Sequence, residues 1–144
     1  MKNINLYELK KIQTDFPKKK ILSSVISAEF IKQFYSDDIE IFESFFILLL
    51  NRQNQTIGYA KISQGGITGT VVDTKIIAKY VVDSLASAVI LAHNHPSGTL
   101  KPSQADITIT NKIKTALGFL DANVLDHIIL THDGYYSFAD NSIL

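Results

Sequence analysis

A single α/β domain, with one mixed sheet flanked by helices, is the fold class this sequence predicts. Three observations lead there. Short apolar runs of strand length alternate with segments whose apolar residues recur at helical spacing. Hydrophobic residues make up 46% and charged residues 19% of the 144 positions, a balance that buries a core and excludes disorder. No internal repeat or low-complexity linker divides the chain, so one folded unit is expected at this length.

Residues 1–24 are polar with scattered apolar positions, and Pro17 interrupts them, so an arm or an edge strand is expected ahead of a domain over 25–144. Phe30, Ile31 and Phe34, with Ser27 as N-cap, read as a short helix ending near Asp37 and Asp38. The run from Ile39 to Asn51 is rich in Phe, Ile and Leu and suits a strand buried on both faces. The chain then turns over Asn51–Gln55 into a returning strand, Ile57–Ser63. Gly65, Gly66 and Gly69 provide a bend or bulge; with no Lys-Ser or Lys-Thr after them, a turn is preferred to a phosphate cradle. Ile76, Ile77, Tyr80, Val81 and Leu85 recur at helical spacing, predicting an amphipathic helix from Thr74 to about Ser87. Ala88–Ala92 is a short apolar strand that delivers His93 at its end. A second long helix begins at Pro102 and Ser103, with Ile107, Ile109, Ile113, Leu117 and Phe119 on its buried side and Gly118 near its end. Val124–Leu130 is a strand, and Asp133-Gly134 turns it back into Tyr135–Phe138.

Charge and cysteine content narrow the chemistry. Lys plus Arg equal Asp plus Glu at 14 each, so no general field attracts a phosphate backbone, and the basic cluster Lys18-Lys19-Lys20 reads as solvated. With no Cys, disulfides and thiolate zinc sites are excluded, in keeping with a reducing interior, and any metal must be held by His and carboxylate oxygen. Met1–Ile21 carries Lys10, Lys11, Asp15 and Lys18 and lacks the apolar block of a secretory signal. The longest apolar stretch, Phe45–Leu50, is too short to cross a bilayer, so a cytoplasmic protein without a membrane partner is expected.

The run Ala92–Thr99, AHNHPSGT, followed by Ser103 and Asp106, is where chemistry concentrates. Side chains two apart in an extended segment project the same way, so His93 and His95 converge. Packing has no reason to put two polar rings on one face. Asp106 returns to the same place if the chain turns through Pro96-Ser97-Gly98 and enters a helix at Ser103. Two His and one carboxylate leave zinc a fourth position for water. Ser103-x-x-Asp106 also reads as an ordinary helix start, in which the hydroxyl caps free amides and the acid complements the dipole. The two readings are compatible.

A hydrolytic zinc centre also needs a proton acceptor that is not itself a ligand. The glutamates are Glu8, Glu29, Glu40 and Glu43. Glu8 lies in the arm and Glu29 in the first helical turn, where acids are expected. Glu43 is the outlier among Ile41, Phe42, Phe45 and Phe46, and an acid in such a strand is a functional candidate; Glu40, of opposite parity, is the fallback. His127, inside an apolar strand, reads as a satisfied core residue, with support of a metal ligand as the alternative. His132 is expected to face solvent, and Ser97 to serve the turn backbone.

The pattern His93-x-His95, then Ser103-x-x-Asp106, resembles the metal motif of the JAB/MPN-type metalloproteases, the JAMM family. The wording HNHPSG, with Phe42-Glu43-Ser44-Phe45 through Asn51, the Gly65-Gly66 turn and Leu125-Asp126-His127-Ile128-Ile129, resembles its RadC branch over roughly residues 25–144. The resemblance implies a cytidine-deaminase-like fold and a zinc-dependent hydrolase acting on a peptide or isopeptide bond of a peptide or protein substrate. It implies His93, His95 and Asp106 as ligands, Glu43 as general base and then acid, and Ser103 as donor to the oxyanion. Deubiquitinating members usually have Ser or Thr where this chain has Asn94, so ubiquitin-type substrates are not expected. The RadC branch also carries a DNA-repair label, which makes a nucleic-acid-associated accessory protein the alternative. Its usual N-terminal helix-hairpin-helix module has no room ahead of residue 25 in this sequence.

Overall fold

In the computed structural model, which describes residues 2–8, 10–66 and 69–144, five strands form one sheet in the order β2-β1-β3-β4-β5. The strands are β1 (Glu43–Leu50), β2 (Thr56–Gly65), β3 (Ala88–Asn94), β4 (Asn123–Leu130) and β5 (Tyr135–Ser137). The helices are α1 (Ser24–Lys32), α2 (Thr74–Ser84) and α3 (Gln104–Gly118). β1 pairs antiparallel with β2 and β3, β3 pairs parallel with β4, and β4 pairs antiparallel with β5. This is the mixed sheet the sequence predicts. Parallel neighbours need a long crossover, and α3 supplies it between β3 and β4.

The two-residue period of the strands sorts their side chains between two cores. Leu48, Leu50, Ile90, Ala92, Ile128 and Leu130 pack with Phe30 and Ile31 of α1. Ile47, Leu49, Val89 and Leu91 face the other way, against Ile77 and Val81 of α2 and Ile113 and Leu117 of α3. His93 keeps the parity of Leu91 and therefore faces the side where α3 begins, while Asn94 points towards the α1 side.

Several expected boundaries move, each for a local reason. The cap of α1 is Ser23, whose hydroxyl accepts from the Ile26 N–H at 3.3 Å, not Ser27. Ser27 is one turn inside, buried, and donates its hydroxyl back to the Ser23 carbonyl. The helix runs from Ser24 to Lys32, so it ends before Asp37 and Asp38, and Glu29, its sixth residue, lies beyond its first turn. Ile39–Phe42 does not extend β1: Asp37–Glu40 form a 3-10 turn, and Ile41 and Phe42 are exposed. α2 stops at Ser84 because Leu85 takes a left-handed conformation, φ 56°. Phe119 is 85% exposed, since it lies about 200° round the helix from the buried Leu117. Within the expected arm, residues 2–8 and 10–19 contain no helix or strand. Phe16 nevertheless packs beside Phe30, Phe34 and Tyr59, and Lys20 bridges to Gln55. Met1 and Leu9 of that segment lie outside the described residues. Among the described residues no helix is long and apolar enough to cross a membrane.

Asp126 fastens the last segment of chain to the sheet. Its carboxylate accepts from the Ser137 hydroxyl at 2.6 Å, the Ala139 N–H at 3.0 Å and its neighbour His127 N–H at 2.7 Å. Burial pushes this carboxyl up, against the pull of those three donors. Replacing Asp126 with Ala strands buried donors, each costing about 1–3 kcal/mol. The variant is expected to lose at least that much stability, read as a lower urea midpoint at unchanged slope; an unmoved midpoint would show that the carboxylate holds nothing.

Candidate metal centre

His93 and His95 leave the end of β3 on one face, and α3 enters from the same side. The turn at Pro96–Gly98, with Gly98 at φ 86°, reverses the chain so that Asp106, at the third position of α3, meets both rings. His93 Nε2 and His95 Nε2 are 2.9 Å apart. Asp106 Oδ1 stands 3.3 Å from His93 Nε2, and Oδ2 stands 3.2 Å from His95 Nε2. The three expected ligands are thus brought to one point.

The other nitrogen of each ring decides what that point can hold. His95 Nδ1 donates to the Thr99 carbonyl at 2.6 Å, because a carbonyl can only accept. His93 Nδ1 is 2.7 Å from His127 Nε2. His127 is wholly buried, and burial, then the neighbouring His93, push it well below the ordinary imidazole range. A neutral His127 whose Nδ1 is engaged by the Thr110 hydroxyl offers a lone pair at Nε2, so His93 donates to it from Nδ1. Both Nε2 atoms therefore present lone pairs to each other and to a carboxylate. That arrangement requires positive charge between them, from a proton or a shared cation. Tetrahedral ligands about 2.0–2.1 Å from zinc stand roughly 3.3 Å apart, so the observed spacing and donor types fit such an ion.

The electrostatics of the rings themselves point the same way. Burial works to raise the Asp106 carboxyl, but the positive charge it shares with His93 and His95, and the Ser103 N–H, hold it well below the usual carboxylate range. Burial would lower His95; pairing with Asp106 and the Thr99 carbonyl overcome it and raise the imidazole above 6.5.

Glu43 opens β1, half-buried, with a carboxylate oxygen inside a group in which the ligand atoms of Glu43, His93 and His95 all lie within 4.8 Å of one another. Its surroundings differ from the expected buried strand: it stands at the rim of an open cleft of about 430 Å³ that also includes Thr70, His95, Ser103 and Asp106. Gly69, which bridges back to Gly66, lines this cleft with Thr70. A side chain at Gly65 would collide with the Gly69 carbonyl oxygen, which explains the glycine there and supports the turn reading; Ile67 and Thr68 lie outside the described residues. Glu40, the fallback, is exposed, 3.9 Å from the exposed His132.

Two residues have larger parts than sequence reasoning gave them. Asn94, noted only as a departure from deubiquitinating members, is fully buried. Its amide donates to the Ile39 and Phe42 carbonyls at 2.7 Å each, and its oxygen accepts from the Ser44 N–H at 2.8 Å. Tyr35 adds a hydrogen bond to the Ser44 carbonyl. Together they set Glu43 opposite the histidines. His127 is a satisfied core residue, as expected, and also the one that contacts a ligand ring. The parity of Asn94, opposite to His93 and His95, is the signal that would have revealed its structural task.

Ser103 caps α3: its hydroxyl accepts from the Asp106 N–H at 3.0 Å, and Asp106 Oδ2 accepts from the Ser103 N–H at 2.8 Å. The reciprocal pair locks the carboxylate at the helix start.

A sequence model of the RadC-like JAB domain matches residues 21–143. The chain belongs to the RadC-like JAB domain family. It is 52% identical over 101 residues to a UPF0758 protein of Flavobacterium johnsoniae, covering 70% of this chain and 44% of that protein. A UPF0758 protein of Porphyromonas gingivalis is 44% identical over 103 residues, 71% of this chain and 45% of its own. UPF0758 protein YfjY of Escherichia coli K12 is 45% identical over 102 residues, 71% of this chain and 64% of its own. The matched stretch thus spans less than half of the first two relatives.

The pairing of His95 with Asp106 predicts a pH signature in protein stripped of divalent ions with EDTA. The raised His95 contributes stability that is complete below its ordinary value near 6.5 and is lost as pH rises through the higher folded value. The lowered Asp106 contributes stability present above its ordinary 3.8 and lost as pH falls below it. The melting temperature should therefore fall away on both sides of a window from about pH 4 to 6.5, and Asp106→Asn should flatten both arms. An unchanged profile in that variant would show that the pair does not titrate together.

Proposed function

We propose that this RadC-like JAB domain is a zinc-dependent hydrolase of amide bonds, acting on a peptide or isopeptide bond. The observation that carries the reading is the triangle of His93 Nε2, His95 Nε2 and Asp106, 2.9–3.3 Å on its sides, with Glu43 beside it. When bound by His93, His95 and Asp106, zinc supplies Lewis acidity, polarising a carbonyl and making water nucleophilic near neutral pH.

The remaining work falls to this chain's own residues. Glu43, not needed as a ligand, takes a proton from the attacking water at its carboxylate and returns it to the leaving amine. Ser103 Oγ accepts from the Asp106 N–H, and its own proton has no acceptor among the described residues. That proton is available to the oxyanion of a tetrahedral intermediate, so capping and catalysis use different lone pairs and protons of one hydroxyl. The cleft is open, which suits a polymeric substrate entering from the surface. For nucleic-acid association, the alternative that the DNA-repair label of the RadC branch suggests, the chain offers the exposed Lys18–Lys20 run, and the zero net charge gives it no field.

Protein purified without chelator is expected to carry zinc by elemental analysis, and His93→Ala to lose it. Glu43→Gln is expected to keep the metal while cleavage of a peptide or isopeptide library falls by about 10²–10⁴-fold. Retained metal with undiminished cleavage would remove Glu43 from the reaction; an unmetallated wild-type protein would remove zinc.

A further inference from the structure

We infer that His127, oriented by Thr110, is a positioning residue that dictates which nitrogen of His93 faces the metal centre, and so sets metal affinity without touching the ion. The inference rests on the metal reading above and deepens it.

The proton positions along this path have one consistent solution. Thr110 Oγ1 lies 2.6 Å from the Asp106 carbonyl, which can only accept, so the hydroxyl proton is committed there. The same oxygen lies 2.6 Å from His127 Nδ1 and must then accept, which puts the His127 proton on Nδ1. His127 Nε2 is left as an acceptor, 2.7 Å from His93 Nδ1. His93 donates, and its Nε2 is the lone-pair nitrogen aimed at His95 and Asp106. Thr110, His127 and His93 are 1%, 0% and 2% exposed, so water cannot substitute for any partner.

Packing denies His127 another orientation. The Phe138 ring stacks on it at 4.6 Å and 20°, and Phe45 meets it edge-on at 5.5 Å and 71°. The path also closes on itself: Asp106 supplies the carboxylate of the triangle and the backbone carbonyl that starts the relay. The ligand on β3 and the ligand on α3 are thereby joined through β4, and neither can shift without breaking a buried hydrogen bond. An apolar side chain at 127 would leave the His93 Nδ1–H stranded, or turn the imidazole tautomer so that its proton occupies the metal position.

Nitrogen-15 NMR of the histidines in metal-free wild-type protein should show the Nδ1–H tautomer at His93. His127→Leu should shift that ring towards the Nε2–H form and weaken Zn²⁺ binding by calorimetry about 10–100-fold. His127→Gln, whose amide oxygen can accept, should restore most of the affinity, a rescue that a merely volumetric role would not give. Thr110→Val serves if the Leu variant fails to fold, and should weaken binding in the same direction by less. A wild-type His93 protonated at Nε2, or a folded His127→Leu protein with wild-type affinity, overturns the inference. Wild-type protein that binds no zinc overturns the metal reading instead; the tautomer measurement, made without metal, still decides the relay.

Discussion

Side chains alternate along β3, and from that constraint the site follows. Because consecutive residues of an extended strand face opposite ways, Ala92, His93, Asn94 and His95 are dealt alternately to the two sides of a sheet that is buried on both. The histidines go to the side where α3 begins. Asn94 goes to the other, where it meets the carbonyls of Ile39 and Phe42 and the N–H of Ser44. One strand end therefore supplies two imidazoles and, between them, the clamp that sets the start of β1.

Antiparallel pairing of β1 with β3 turns that clamp into a fixed position for Glu43. Phe45 is the register partner of His93, so Glu43, two residues earlier and of the same parity, is carried just past the end of the pairing, over the rings. Parallel pairing of β3 with β4 does the corresponding job behind the site. Leu91 is opposite His127 and His93 is opposite Ile129, a stagger that lets the His127 ring reach His93 Nδ1. The crossover between these strands must contain a helix, and the first turn of that helix carries Asp106. Every element near the centre is thus there for a topological reason before it is there for a chemical one.

The helix start illustrates how one local motif serves two ends. A Ser followed three residues later by an acid stabilises a helix whether or not any ion is near. Here the same hydrogen bonds hold a carboxylate rigid beside two imidazoles, at the lining of the cleft. Capping removes the side-chain freedom that a loop-borne ligand would have to lose on binding.

The succession of strands and helices along the chain and the grouping of His93, His95 and Asp106 were legible in the sequence, because two-residue and 3.6-residue periodicities and the His-x-His spacing are local signals. Glu43 was legible too, as an acid out of place among Phe and Ile, although its setting was misjudged: the strand starts at Glu43 itself, and the carboxylate stands at a rim. What only the tertiary structure decided is non-local. The hydrogen bonds of Asn94 to residues 50 or more positions away, and the path from Thr110 through His127 to His93, depend on strand register and on a crossover that brings 110, 127 and 93 together. Spacing along a chain fixes which face a residue occupies within its own element; it carries no information on which neighbour that face will meet.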